Sequence, residues 1–453
     1  MKNIIQDQRL FFNTNQTKPL PFRIKALKKL KSILQENETL LYEAIYIDFK
    51  KSAFDTYTNE LGLLYKDIDE AIHQVKKWSK IKSVSTNWVN FPAKSYIVPE
   101  PFGNTLIIGA WNYPYQLSLA PAIAAIAAGN TIILKPSEVP KNTSRALATL
   151  INKNFNPNFF HVIEGGVDET TYLLHQKWDK IFFTGSVPVG KIVYEAAAKY
   201  LTPVTLELGG KSPAIFTADC DLKMTVKRLI WAKFLNAGQT CIAPDYIYVH
   251  KAIEADFLKA CQKEIEASHF SFENQNYVQI INEKNHTRLT NLINPNKIFF
   301  GGNHNIENRY IQPTLLNNIT EDDAIMKEEI FGPILPVLSY TDLSDIIHKI
   351  KQRPKPLSCY VFTNDHPTKK KILNELSFGS GSINEAIMQI SNSKLPFGGV
   401  GESGIGSYHG EHGFKTFSHY KSILEKPNWL ELNLKYFPHT LKKLKIIKFL
   451  LKL

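Results

Sequence analysis

Three side chains in this sequence have the chemistry needed for covalent catalysis: a thiol, a carboxylate and a carboxamide. Cys241 closes the run Gly238-Gln239-Thr240-Cys241. The small, permissive lead-in leaves a backbone N–H and open space within reach of the thiol. A free thiol is only slightly ionised at neutral pH, so a working nucleophile needs surroundings that favour the anion. An isolated intracellular cysteine is more often a small buried hydrophobe, but the company of Cys241 changes the reading. Glu207, at the start of Glu207-Leu208-Gly209-Gly210-Lys211, can serve as a general base that activates water; the alternative is a solvated carboxylate at a strand end. Asn112 can form an oxyanion hole with the Cys241 N–H, or it can cap the helix that follows.

A second group of residues suits a phosphate-bearing cofactor. Gly185-Ser186-Val187-Pro188-Val189-Gly190 follows a strand-like run and opens a helix. Exposed amides and the dipole at such a start favour a pyrophosphate, and Pro188 costs little in a first turn. The pattern is neither GxGxxG nor GxxxxGK[ST], so a standard dinucleotide or P-loop reading fails in detail. Lys135 and Glu138 follow another strand. They can hydrogen-bond ribose hydroxyls, with the carboxylate repelling a 2′-phosphate; the alternative is a solvated loop.

The elements that position these residues alternate between strand and helix. Strands are expected at 103–109, 131–134, 159–163, 180–184 and 204–208, with helices over 117–128, 144–151 and 189–199 between them. Such alternation predicts a mostly parallel, doubly wound sheet. Asn112, Lys135, Gly185 and Glu207 all follow strand carboxyl ends, where ligands bind in these sheets. After Gly210 the alternation resumes with strand 212–216, helix 222–236, the Cys241 loop and strand 246–250, opening a second α/β domain that runs to about Phe414. Residues up to about Lys82 read as helices, from apolar spacing such as Ile24, Leu27, Leu30 and Leu34. Residues 88–98 suggest two short strands around a proline turn, an arm that needs a partner because two strands alone are marginal.

The chain has 453 residues, 43% of them hydrophobic and 21% charged, an ordinary globular balance. Cys220, Cys241, Cys261 and Cys359 are scattered without a CxxC pair, which argues against a disulfide framework and fits a reducing, cytoplasmic setting. No histidine has ligand spacing, so no metal is expected. The net charge is +12, yet no nucleic-acid recognition motif accompanies it. The apolar run 117–128 is shorter than the roughly 20 residues of a membrane span.

Seven segments occur in one order: Trp111-Asn112-Tyr113-Pro114, Lys135-Pro136-Ser137-Glu138, Phe183-Thr184-Gly185-Ser186, Glu207-Leu208-Gly209-Gly210-Lys211, Gly238-Gln239-Thr240-Cys241, Glu328-Glu329-Ile330-Phe331-Gly332-Pro333 and Leu395-Pro396-Phe397-Gly398-Gly399. Together they resemble the aldehyde dehydrogenase superfamily. Cys241 to Tyr246 and Gly406 to Gly410 resemble its class 3 branch of fatty and aromatic aldehyde dehydrogenases. The resemblance implies two doubly wound α/β domains, a Rossmann-like cofactor domain and a catalytic domain, with a small β oligomerisation arm. It divides the chain into cofactor-domain parts 1–82 and 102–206, an arm 83–101, a catalytic domain 207–415, and an oligomerisation strand with a basic tail over 416–453. It implies Cys241 as nucleophile, Glu207 as base and Asn112 as oxyanion donor. Lys135 and Glu138 would meet the adenosine ribose, and Gly185, Ser186 and Gly190 the pyrophosphate. Glu329 would hold the nicotinamide ribose with Phe331 beside the ring, and Tyr113 and Ile242 would line the substrate pocket. NAD is the implied cofactor, with NADP also accepted, in a homodimer that oxidises medium- to long-chain or aromatic aldehydes. The alternatives are a catalytically silent structural or membrane-surface relative, and a dehydrogenase that passes the acyl group to coenzyme A.

The C-terminal segment 441–453 forms an amphipathic pattern. Lys442, Lys445, Lys448 and Lys452 share one helical face, and Leu444, Ile447, Leu450, Leu451 and Leu453 the other. The first expectation is a helix that buries its apolar face on the protein; the second is peripheral contact with an anionic membrane.

Overall fold

Short runs of β-branched and aromatic residues, punctuated by Gly and Pro, form the strands of the larger of two units. The computed structural model describes residues 1–452. By its internal contacts the chain divides into residues 1–78 with 101–418, and residues 79–100 with 419–452.

The larger unit carries two main sheets. In the first, the spatial order is Gly404–Ile405, Val204–Glu207, Lys180–Thr184, Asn104–Ile108, Thr131–Lys135, Phe160–Val162. All pairs are parallel except the Gly404–Ile405 edge. Strands Asn104–Ile108, Thr131–Lys135 and Lys180–Thr184 are buried at every position, as expected of a parallel sheet covered on both faces. Strand order reverses between Asn104–Ile108 and Lys180–Thr184, which makes the crevice beyond their carboxyl ends the topological switch point. Register brings Ile108 level with Lys135 and Phe183, and Thr184 level with Glu207. The strand-end residues singled out in the sequence therefore share one edge.

The second sheet has seven strands in the order Ile298–Phe300, Thr314–Leu316, Ile334–Tyr340, Tyr246–His250, Pro213–Phe216, Ser358–Phe362, Ser380–Ile383. The Cys241 loop leads into strand Tyr246–His250, and the loop carrying Glu329 and Phe331 leads into Ile334–Tyr340. The mixed α/β fold with two doubly wound sheets agrees with the sequence reading. Helix Pro114–Ala128 starts earlier than expected, because proline is preorganised for a first turn.

The smaller unit holds a three-stranded sheet of Lys82–Val84, Lys94–Pro101 and Ser418–Glu425. Here the expected strand pair is corrected. Residues Trp88–Asn90 form a 3-10 turn, and the first strand lies earlier, with Lys82 opposite Ile97. The turn closes through Ala93 N–H donating to Asn90 O at 2.8 Å. Trp88, Phe91, Trp429 and Phe437 are all exposed.

The tail forms helix Leu441–Leu450, started by Thr440, whose side chain accepts from Lys443 N–H. The expectation of a buried apolar face is not met. No residue of this helix is buried, and Leu441 and Phe449 are 78% and 67% exposed. Leu453, counted on that face, lies outside the described residues. No helix among the described residues is long and apolar enough to cross a membrane.

Candidate active site

The Cys241 loop is held by its own sequence. Helix Leu222–Phe234 ends in a turn where Asn236, Ala237 and Gly238 all have positive φ. Gly238 is required because a Cβ there would collide with the Gly332 carbonyl. Gln239 is fully buried and anchors the turn: Nε2 donates to Asn236 O and Gln279 O, each at 3.1 Å, and Oε1 accepts from Ile281 N–H at 3.0 Å. Thr240 Oγ1 meets Tyr113 Oη at 2.7 Å. Each lead-in residue thus has a distinct role in placing Cys241.

Cys241 lines a cavity of about 520 Å³ together with Asn112, Glu207, Glu329 and Phe331. Glu207 ends its strand between Thr184 and Gly404. Its side chain is 3% exposed, and neither carboxyl oxygen has a hydrogen-bond partner. Burial pushes its carboxyl well above the ordinary range. It is no solvated strand-end carboxylate; it is a desolvated acid lining a cleft, an environment that clusters at functional sites. The Asn112 amide does not cap the following helix, and instead Nδ2 donates to Gln239 O at 3.0 Å.

The protein alone does not favour the thiolate, contrary to the sequence expectation. Burial, then the nearby Glu329 and Glu207 carboxylates, push the Cys241 thiol up to about 12. Burial also raises the Glu329 carboxyl to about 8, with Asp245 adding to the rise and the Gly210 N–H, Lys211 and Arg288 opposing it. Both effects follow from withdrawing charge from water.

The same cavity runs away from Cys241 past Gly185 and Ser186 to Lys135, Ser137 and Glu138. Lys135 is buried, donates to Pro136 O at 2.8 Å and lies 3.6 Å from the half-exposed Glu138 carboxylate. Ser186 caps helix Val187–Ala198 without a side-chain cap bond, which leaves its hydroxyl free at a positive helix end. The Gly185 N–H is already engaged with Glu207 O at 3.0 Å. Gly190 does not line the cavity; a Cβ there would sit 2.6 Å from Leu208 Cδ2, so its small size serves helix-to-strand contact. Gly209 lets the Glu329 carboxylate lie where a Cβ would strike it. Phe331 meets Trp111 edge-on at 5.3 Å.

Sequence reasoning missed the apolar slot at the far end, where Val139, Val167, Leu174, Val189 and Ile192 face the cavity. Val167, Val189 and Ile192 are exposed. Apolar residues on the outward face of a helix start were the signal available. A buried carboxyl, a thiol, a Lys–Glu pair suited to ribose hydroxyls and an apolar slot for a flat ring, strung along one cleft within the usual range of cofactor-pocket volume, fit a nicotinamide dinucleotide.

A second cavity, of about 950 Å³, is lined by Phe54, Met224, Trp231, Leu235, Met388 and Asn236. Asn236 Nδ2 donates to Asn112 O at 3.0 Å and Gln239 O at 3.1 Å, so this cavity abuts the turn behind Cys241. Tyr113 and Ile242, expected in a substrate pocket, line neither cavity. Tyr113 is held behind the loop by Thr240, and Ile242 is buried in the core with its carbonyl accepting from Tyr360 Oη at 2.6 Å.

Comparison with known proteins agrees with the fold. The aldehyde dehydrogenase family profile matches residues 1–423. The chain is 48% identical over 458 residues to the 4,4'-diaponeurosporen-aldehyde dehydrogenase of Staphylococcus aureus, covering 98% of this chain and 99% of that one. It is 42% identical to a mouse aldehyde dehydrogenase described as dimeric and NADP-preferring, with 94% of each covered. A substrate-bound structure of Staphylococcus aureus AldH superposes with a TM-score of 0.97 at 47% identity, covering 99% of both chains.

Proposed function

The chain belongs to the aldehyde dehydrogenase family and oxidises aldehydes with NAD or NADP, and on that premise we propose that Cys241, Asn112 and Glu207 are its catalytic residues. One observation carries this reading: an unpartnered buried carboxylate shares a cleft with a thiol at the switch point of the sheet. Cys241 gives up its proton to solvent and adds as the thiolate to the aldehyde carbon, and the resulting oxyanion is held by the Asn112 amide and the Cys241 N–H. Held by Lys135, Glu138, Ser186 and Glu329, the oxidised cofactor would supply the hydride acceptor, and loss of that hydride leaves the Cys241 adduct as a thioester. Glu207 then takes a proton from water as the water attacks the thioester. The carboxylic acid leaves, and the proton returns to the departing sulfur.

Lys135 and Glu138 are the groups for the adenosine ribose, Ser186 and the helix start behind it for the pyrophosphate, and Glu329 for the nicotinamide ribose, with Phe331 beside the ring. The Glu138 carboxylate favours NAD over NADP. The cofactor domain comprises 1–82 and 102–206, and the catalytic domain 207–415.

The 950 Å³ cavity beside Asn236 is the substrate side, and its apolar wall suits medium- to long-chain aliphatic or aromatic aldehydes. Burial of each methylene is worth about 0.8 kcal/mol, so kcat/KM should rise about fourfold per carbon from acetaldehyde upward until the cavity is filled. Initial rates of NADH and NADPH formation along a series to hexadecanal, with 4,4'-diaponeurosporen-aldehyde included, test this. A flat profile, or one that favours acetaldehyde, would remove the chain-length reading.

The exposed aromatics of the smaller unit, on an arm of 83–101 and a segment of 416–453, fit a homodimer. The exposed basic helix Leu441–Leu450 fits peripheral contact with an anionic membrane on its cytoplasmic face. The full chain should scatter light as about twice 51.6 kDa and co-sediment with phosphatidylserine vesicles. A chain lacking 441–453 should keep the dimer and lose the vesicles. Equal vesicle binding by both chains would end the membrane reading, and a monomer would end the dimer.

A further inference from the structure

We propose that the buried ion pair of Lys51 and Glu60 is a positioning device for Asn112, holding the Asn112–Tyr113 turn from behind so that the amide faces the thiol. This rests on the reading of Asn112 as the oxyanion donor. Lys51 Nζ lies 2.7 Å from Glu60 Oε1, with side chains 1% and 0% exposed. Burying two charges carries a desolvation cost that an apolar pair of the same volume avoids, so such a pair is weak evidence of stabilisation. The contacts show what the two charges hold instead.

Glu60 sits in a π-helical turn, Tyr57–Leu61, a rare insertion found frequently at functional sites. Its second oxygen accepts from Tyr115 N–H at 2.8 Å and Gln116 N–H at 3.3 Å. These are first-turn amides of helix Pro114–Ala128, whose own N-cap residue, Tyr113, provides no side-chain cap. Glu60 is therefore that helix's cap, supplied from a distant segment, with the helix dipole in its favour. Lys51 completes the clamp. Its ammonium donates to Asn112 O at 3.4 Å and lies 4.1 Å above the Tyr113 ring. Asn236 holds the same carbonyl at 3.0 Å, and Tyr113 Oη is tied to Thr240, beside Cys241. The pair thus fixes the Asn112 carbonyl and the residues that follow it, while lining neither the cleft nor the apolar cavity.

The test is a double-mutant cycle. Lys51→Met and Glu60→Gln are made alone and in an Asn112→Ala background, and kcat is measured at saturating NAD⁺ and aldehyde. Misplacement of about an ångström costs roughly 10²-fold, so each single change should lower kcat about tenfold to hundredfold. The KM for NAD⁺ should stay within about twofold, and Lys51→Arg should restore most of the rate. In the Asn112→Ala background the further loss should be less than about threefold. Full multiplication of the losses in that background would overturn the proposal, as would a folded Lys51→Met enzyme with wild-type kcat. Should Lys51→Met strand the Glu60 carboxylate and fail to fold, Lys51→Met/Glu60→Leu removes both charges and carries the same cycle. An Asn112→Ala enzyme at full speed is a distinguishable failure, because it removes the oxyanion assignment beneath the proposal.

Discussion

Cys241→Ala should abolish aldehyde oxidation, lowering kcat by about 10⁴-fold or more, the scale on which losing a covalent nucleophile is felt. No other thiol can stand in: Cys220, Cys261 and Cys359 do not line the cleft, and the latter two are buried. Nor should the fold suffer, since the Cys241 loop is tied down by Gln239 and Thr240. The thiol's electrostatics give a further readout. With the group pushed up to about 12 by burial and by Glu329 and Glu207, the thiolate fraction of the free enzyme grows with pH throughout the neutral range. Alkylation by iodoacetamide should therefore accelerate roughly tenfold per pH unit between about 7 and 10. A rate that levels off near pH 7 would mean that the protein alone activates the thiol. An unchanged dehydrogenase rate in the alanine variant would remove the covalent mechanism.

Glu207→Gln should separate the two halves of the reaction. Adduct formation and hydride loss need no base at this position once sulfur has attacked, whereas hydrolysis does. The variant should release about one equivalent of NADH in a burst and then turn over about 10²–10⁴-fold more slowly. The wild-type carboxyl lies well above its ordinary range because it is buried, so hydrolysis should fall as pH drops through a midpoint above that range; the variant should lose this limb. The sign of the stability effect is opposite in kind to that of a salt-bridged acid. A buried acid with a raised pKa retains its proton in the folded state where the unfolded chain has lost it, so it destabilises the fold as pH rises. Glu207→Gln should thus raise Tm at alkaline pH, and a stalled enzyme that melts later is not a misfolded one. A dehydrogenase passing its acyl group to coenzyme A has no use for this base and would be indifferent to the change.

The strand ends were legible because a parallel βα fold leaves a simple imprint. Buried strands such as Lys180–Thr184 and Tyr246–His250 stand at their expected residues, each an apolar run ended by Gly or a polar residue. Register then places Lys135 and Glu207 on one edge. The arm was less legible because Trp88–Asn90 has the aromatic and β-branched texture of a strand while forming a 3-10 turn. Local propensity cannot show where backbone partners lie. Tyr113 adjoins Asn112 and Ile242 adjoins Cys241 in sequence, yet neither lines either cavity, since adjacency says nothing of side-chain direction. The buried clamp of Lys51 and Glu60 left no sequence imprint of its own, because a lysine and a glutamate nine positions apart read as solvated surface. The raised thiol was hidden for a related reason: the rise comes first from burial and then from the Glu329 and Glu207 carboxylates, brought together only by the fold.

The most direct test of the central claim is to trap the covalent intermediate. Glu207→Gln is mixed with dodecanal and NAD⁺, quenched after the burst and digested, and the peptide containing Cys241 is weighed. The account predicts a dodecanoyl group on Cys241, in step with NADH and removable by hydroxylamine. A full NADH burst with Cys241 unmodified, or with the acyl group on another residue, would contradict it.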